Sequence, residues 1–145
     1  MKPHPYLRAY MAGIVVPTIF LLVVMTWNFA FIRLGVSGPD PLVFLPRSAL
    51  LERLLVFPMA FVPSLWGVWN MAHLALRGRL KLPLGVHGAL LPILLVPAGF
   101  SLARALDVFT IPMEYALVVI PIGMALYYLV WRHAVGFLNR EMGIA

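Results

Sequence analysis

Residues 77–81 read RGRLK, a short basic stretch that separates two long apolar runs. The run before it covers residues 54–76, the run after it covers residues 82–103, and neither contains Asp, Glu, Lys or Arg. Each run reaches the length of about 20 residues that a helix needs to cross the hydrocarbon core of a bilayer. Because so short a connection makes consecutive helices run antiparallel, the stretch predicts a hairpin of two membrane-spanning helices.

Two further apolar runs lie outside this hairpin. Residues 9–32 are bounded by Arg8 and Arg33, and residues 111–131 are less cleanly framed because Glu114 lies near their start. The predicted fold is therefore all-α. We expect a polytopic integral membrane protein with four transmembrane helices in an antiparallel bundle, forming a single domain over residues 1–145.

The composition of the whole chain supports a membrane protein. Of its 145 residues, 63% are hydrophobic and 11% are charged, whereas soluble domains have about 45–50% apolar and about 25% charged residues. The net charge of +6 is spread in small groups between apolar runs, which excludes the contiguous basic surface that nucleic-acid binding needs. Membrane lipids are the expected partners.

The distribution of basic residues predicts the orientation of the helices. An N-terminus in the cytoplasm places seven basic residues inside and leaves four outside, which favours two cytoplasmic termini. The inside set is Lys2, Arg8, Arg77, Arg79, Lys81, Arg132 and Arg140, and the outside set is Arg33, Arg47, Arg53 and Arg104. The expected location is a bacterial-type inner (plasma) membrane. Arg77, Arg79 and Lys81 are candidate ligands of lipid headgroups.

The remaining segments are assigned to the membrane surfaces. Residues 33–53 predict an interfacial outer connection that ends in an amphipathic entry to the second helix, and residues 132–145 predict an amphipathic cytoplasmic tail. Small residues form a stripe on the third helix, which predicts a central position in the bundle or an oligomer contact. The stripe consists of Gly85, Gly88, Ala89, Pro92, Gly99 and Ala103. A homo-oligomer or a larger membrane complex is expected.

One face of the second helix carries unusual side chains for a lipid-facing segment. Trp66, Trp69, Asn70 and His73 are spaced i, i+3, i+4 and i+7, so they share one helix face. Trp66 lies about 16 Å along the helix from Arg77, close to the bilayer midplane rather than at the headgroups, where the aromatic belt lies. The indole N–H groups and Asn70 need hydrogen-bond partners, so we expect this face to point into the protein.

Two interpretations of this face remain open. The favoured one is an interhelical polar clamp, in which Tyr127 and Tyr128 of the fourth helix are the nearest candidate partners. The other is a cytoplasm-facing pocket for a lipid, a quinone or a small amphiphile, with the same six residues as its candidate ligands. Trp27 and Trp131 lie close to Arg33 and Arg132 and fit the aromatic belt.

No catalytic motif is present in the chain. The predicted spans carry no acidic residue at mid-depth, and the absence of cysteine excludes thiolate metal ligands and thiol redox chemistry. The preferred function is that of a non-catalytic structural or accessory subunit of a membrane assembly, with no metal and no cofactor.

Two alternative functions remain. The first is a transporter or channel protomer for a small solute or lipid, built on helices two and three, which prolines interrupt at Pro58, Pro63, Pro92 and Pro97. The second is a membrane anchor subunit that binds a quinone or haem b, with His73 and His87 as the only pair at matched depth for haem ligation.

Overall fold

A computed structural model describes residues 4–34, 49–107 and 112–144 of the chain. These residues are helical almost throughout and contain no strand. The helices are α1 (Pro5–Leu34), α2 (Ala49–Leu80), α3 (Leu84–Ala89), α4 (Leu91–Ala105), α5 (Ala116–Val130) and α6 (Gly136–Glu141). A single 3₁₀ turn (Met113–Tyr115) precedes α5, and a π-helical turn (Trp131–Val135) joins α5 to α6 without interruption.

Three helical segments of the described chain are long and apolar enough to cross a membrane. They are Pro5–Trp27, Leu84–Ala105 and Ala116–Glu141. Each exposes large apolar side chains; Phe20 is 66% exposed in α1, Leu94 56% in α4 and Leu117 79% in α5. An apolar surface of this extent needs lipid or another protein around it. The described residues thus confirm the predicted all-helical fold, and three helices of this length and apolar character support a membrane location. A membrane crossing by α2 stays a prediction.

Close packing of glycines joins α1 to α2. A Cβ atom added to Gly13 would lie 2.6 Å from the carbonyl oxygen of Trp66 and 2.8 Å from the Cα of Gly67. The two backbones can approach this closely only because neither position carries a side chain. Ala9 and Ala12, which lie nearer the start of α1, are also buried.

A second pair of helices is formed by the third apolar run and α5. Gly88 of α3 lies directly against Trp131, since an added Cβ would overlap the Cγ of that indole. Further along, Pro92 of α4 lies beside Gly123 of α5. The third run thus packs mainly on α5 while α1 packs mainly on α2, which differs from the central position expected for it. Gly99, a member of the predicted stripe, has no neighbour within 4 Å of an added Cβ.

The helix boundaries differ from the sequence predictions at three places. The second helix begins at Ala49 rather than at residue 54, so the last five residues of the predicted 33–53 connection are helical; its residues 35–48 lie outside the described residues. The third run is divided at Leu90, just before Pro92, whose ring nitrogen has no proton to donate. The predicted tail over residues 132–145 is a continuation of the fourth helix up to Glu141.

Trp131 is not part of an exposed aromatic belt. It is fully buried (0% exposed), and it belongs to an apolar core with Val62, Trp66, Leu91 and Val135. Gly88 accounts for the difference, because its missing side chain leaves room for the indole. Trp27 is 55% exposed, and its place in an aromatic belt stays a prediction.

Candidate ligand-binding pocket

The tryptophan and asparagine face of α2 points into the protein, as its spacing predicts. Trp66 is 5% exposed and Asn70 is 1% exposed. The Nε1 of Trp66 donates a hydrogen bond to the hydroxyl of Tyr127 at 3.3 Å. The Nε1 of Trp69 donates at 2.9 Å to the carbonyl of His87, which lies next to the division between α3 and α4. Both indoles therefore bond across helices.

A pair of buried amides joins three helices at the same level. The Nδ2 of Asn70 donates to the carbonyl of Ala9 at 2.7 Å and to the Oδ1 of Asn139 at 2.8 Å. The Nδ2 of Asn139 donates back to the Oδ1 of Asn70 at 3.1 Å. Asn139 is 6% exposed. Each buried amide thus satisfies the other, and the pair fixes α6 against α1 and α2.

The chain after α6 folds back onto α1 and α2. Gly143 has a φ of +65°, and the amides of Gly143 and Ile144 donate to the carbonyls of Arg140 and Asn139, which is a Schellman turn. Arg8 donates to the carbonyl of Met142, and the Nη1 of Arg77 donates to the carbonyl of Ile144 at 2.7 Å. Because of these contacts, the start of α1 lies against the ends of α2 and α6. We call this part of the molecule the basic end; it comprises residues 8–9, 70–87 and 128–144.

A cavity of about 620 Å³ opens within the basic end. Its polar lining residues are Asn70, His73, Arg77, Tyr128, Arg132, Asn139 and Arg140. Its other lining residues are Ala9, Leu74, Pro83, Leu84, Gly85, Gly136 and Ile144. The volume lies within the range of about 300–1,000 Å³ that is usual for small-molecule sites, which are also largely apolar with a few polar groups.

The charge of this pocket is entirely positive among the described residues. Arg77, Arg132 and Arg140 line it, and no Asp or Glu does. Arg132 donates to the hydroxyl of Tyr128 at 3.0 Å, and its guanidinium carbon lies 5.9 Å from the centre of that ring. Arg77 donates to a backbone carbonyl. Within the described part of the chain, no carboxylate pairs with any of the three guanidinium groups. An anion would therefore find several free N–H donors here.

The comparisons with known proteins were negative. No family model, no characterised protein and no solved structure matches this chain. The pocket itself is therefore the basis for a functional proposal.

The structure brings some of the sequence-predicted site residues to the pocket and leaves others outside it. Asn70, His73, Arg77 and Tyr128 line the cavity. Trp66, Trp69 and Tyr127 lie beside it, in the packing between the helices. Arg79 and Lys81, the other headgroup candidates, are exposed and do not line it.

Sequence reasoning missed the contribution of the fourth helix and its extension. Arg132, Asn139 and Arg140 all line the cavity together with Tyr128. Residues 128, 132, 136 and 140 recur at intervals of four, so they share one helix face. This periodicity extends into residues 132–145, which are predicted from sequence to form a separate tail. A predicted helix that continued over residues 116–141 would have placed these side chains on one face.

His73 and His87, the candidate haem ligands, contact each other directly. Their ring centres lie 4.9 Å apart in an edge-to-face arrangement, and His87 also packs on Trp69 with the ring centres 4.9 Å apart. Ligation of haem b by this pair would require the rings to separate, because the macrocycle lies between its two axial ligands. No group of three or more His, Asp or Glu side chains suited to a metal ion occurs in the described residues.

Proposed function

We propose that this chain is a small non-catalytic membrane protein that binds an amphiphile in the pocket of its basic end. The observation that carries the proposal is the cavity of about 620 Å³, which is lined by both polar and apolar residues. Arginine, asparagine and tyrosine groups would face the ligand's polar part, and Leu74, Leu84 and Ile144 would face its apolar part. A lipid of the surrounding membrane is the most accessible ligand with this chemistry.

The proposed topology is a bundle of four antiparallel transmembrane helices with both termini in the cytoplasm. Its support is the clustering of positive charge: Arg8, Arg77, Arg79, Lys81, Arg132 and Arg140 all belong to the basic end or to the turn that follows α2. A surplus of Lys and Arg favours the cytoplasmic side. The pocket would then open toward the cytoplasmic leaflet of a bacterial-type inner membrane.

The proposed role is that of an accessory subunit in a homo-oligomer or a larger membrane assembly. Apolar side chains exposed along α1, α4 and α5 leave these faces available to lipid or to partner helices. A role as a transporter protomer remains the alternative, and saturable solute flux through purified protein in liposomes would favour it.

Filling the cavity is expected to displace a bound amphiphile. Leu74→Trp adds an indole at a half-buried position of the cavity wall, and we expect lipid that co-purifies with the wild type to fall below one tenth of its occupancy. Native mass spectrometry of the detergent-extracted protein measures the occupancy. Leu76→Trp is the matched control, because Leu76 is exposed on the same helix and does not line the cavity. Equal lipid occupancy in both variants would contradict the proposal.

A further inference from the structure

The three arginines of the pocket lie on two different helical segments that the fold brings together. Arg77 is in the last turn of α2, whereas Arg132, in the π-helical turn, and Arg140, in α6, belong to the continuous fourth helix. Three like charges around one cavity repel one another, and an anion bound between them would relieve this repulsion. The described residues supply no carboxylate for this purpose.

The hydrogen bonds of these arginines show which donors remain available. Arg77 uses one nitrogen on the carbonyl of Ile144, and Arg132 uses one nitrogen on the Tyr128 hydroxyl. Each guanidinium has five N–H donors in a planar fork, so each bond orients the group and leaves donors for a ligand. Arg140 makes no side-chain hydrogen bond to another described residue and keeps all of its donors.

The charge balance distinguishes between classes of anion. A carboxylate brings one negative charge and two oxygens, which would leave two of the three guanidinium groups uncompensated. A phosphate monoester brings a charge of about −1.5 to −2 at pH 7 and three acceptor oxygens. Guanidinium forks bind phosphate oxygens in a bidentate manner, so a phosphate monoester offers charge and acceptors for more than one of these arginines, which a carboxylate does not.

On this basis we propose that the pocket recognises a phosphate monoester group through Arg77, Arg132 and Arg140. This inference rests on the proposed function, since it names the polar part of the ligand that the amphiphile pocket holds. The imidazole of His73 lines the same cavity and offers a further hydrogen bond. The apolar residues Leu74, Pro83 and Leu84 lie on the cavity wall, where the first part of an acyl chain would pack.

The test uses the full-length protein, delipidated in detergent, with four separate probes. Phosphatidic acid carries a phosphate monoester on an apolar tail, oleate carries a carboxylate, monoolein is uncharged, and inorganic phosphate has no tail. Native mass spectrometry measures binding of the three amphiphiles, and titration calorimetry measures binding of phosphate. The variants are Arg132→Gln and Arg140→Gln, both at exposed positions, and Arg79→Gln is the matched control outside the cavity.

We expect phosphatidic acid to bind the wild type more tightly than oleate or monoolein. Each of the two cavity substitutions is expected to weaken this binding about tenfold, since a charge-assisted hydrogen bond is lost, while Arg79→Gln leaves it within about twofold. Arginine-dependent binding of inorganic phosphate, with no binding of any amphiphile, would support phosphate recognition from a soluble source and contradict the amphiphile function.

Three outcomes would overturn the inference. Monoolein that binds as tightly as phosphatidic acid, with no effect of the arginine substitutions, would leave the amphiphile pocket standing but exclude phosphate recognition. Tighter binding of oleate than of phosphatidic acid would identify a carboxylate ligand instead. Failure of all four probes to bind would contradict both the inference and the proposed function.

Discussion

The Gly13→Leu variant is expected to lose about 3 kcal/mol of unfolding free energy, at the upper end of the usual cost of overpacking. The added side chain would meet backbone atoms of α2, the carbonyl oxygen of Trp66 at 2.6 Å and the Cα of Gly67 at 2.8 Å. Backbone atoms cannot move aside as a flexible side chain can. The two helices must therefore separate, and the contacts that Ala9 and Ala12 make beside this position are lost with them. Thermal unfolding in detergent, followed by circular dichroism, measures the change.

The control for this experiment is Gly99→Leu. Gly99 also lies within a helix, and an added Cβ there meets nothing within 4 Å. Both substitutions raise the intrinsic helix propensity by a similar amount, so the difference between them isolates the helix contact. We expect the Gly99→Leu protein to unfold at or slightly above the wild-type temperature. Two variants with the same melting temperature would show that α1 and α2 do not pack through Gly13.

The Asn70→Leu substitution is expected to lower the unfolding free energy by about 2 kcal/mol, because three interhelical hydrogen bonds of about 0.6 kcal/mol each are lost. The bonds lost are those to Ala9 and the reciprocal pair with Asn139. The amide of Asn139 would be left in a buried place without a partner, which adds its own penalty. Chemical unfolding in detergent, monitored by tryptophan fluorescence, gives the free energy.

A double-mutant cycle separates the pair from the individual residues. In Asn70→Leu/Asn139→Leu no unsatisfied side-chain amide remains, so we expect the double variant to be more stable than the sum of the two single changes implies. Ser64→Ala serves as the control, because the Ser64 hydroxyl makes only an exposed contact of 3.4 Å with Tyr10. Additive free energies across the cycle would mean that the two amides do not bond in the membrane environment.

The clamp and the pocket, opposed as alternatives on the basis of sequence, share residues in the structure. Asn70 bonds across three helices and also lines the cavity. Trp66 and Trp69 belong to the interhelical packing, whereas His73, about one turn further along α2, lines the cavity. One helix face thus changes from interhelical contact to cavity wall along its length.

The sequence predicts the ends of three helices well, at the places where a charge closes an apolar run. α1 ends one residue after Arg33, Arg77 lies in the last turn of α2, and Arg104 lies in the last turn of α4. Such boundaries are predictable because a charged group is costly in hydrocarbon and stays close to water. The inward orientation of Trp66 and Asn70 follows from helical periodicity in the same way.

The features that sequence alone did not reveal depend on contacts between distant residues. Nothing local to Trp131 indicates burial; the room for its indole comes from Gly88, on another helix. Likewise, the pairing of Asn139 with Asn70 is not predicted from sequence, because the predicted fourth helix ends at residue 131 and residues 132–145 are assigned to a tail. The same boundary conceals the placement of Arg132 and Arg140 in the pocket.

The contact between Arg8 and the carbonyl of Met142 joins residues 134 positions apart in the chain. A ribosome adds about 5–20 residues per second, so about 7–27 seconds separate the synthesis of these two residues. Asn70 and Asn139 are 69 positions apart, so the amide of Asn70, which bonds to the carbonyl of Ala9, waits about 3–14 seconds of that interval for its second partner. The newly inserted helices must hold this open polar site until the last helix is made and the amide of Asn139 can close it.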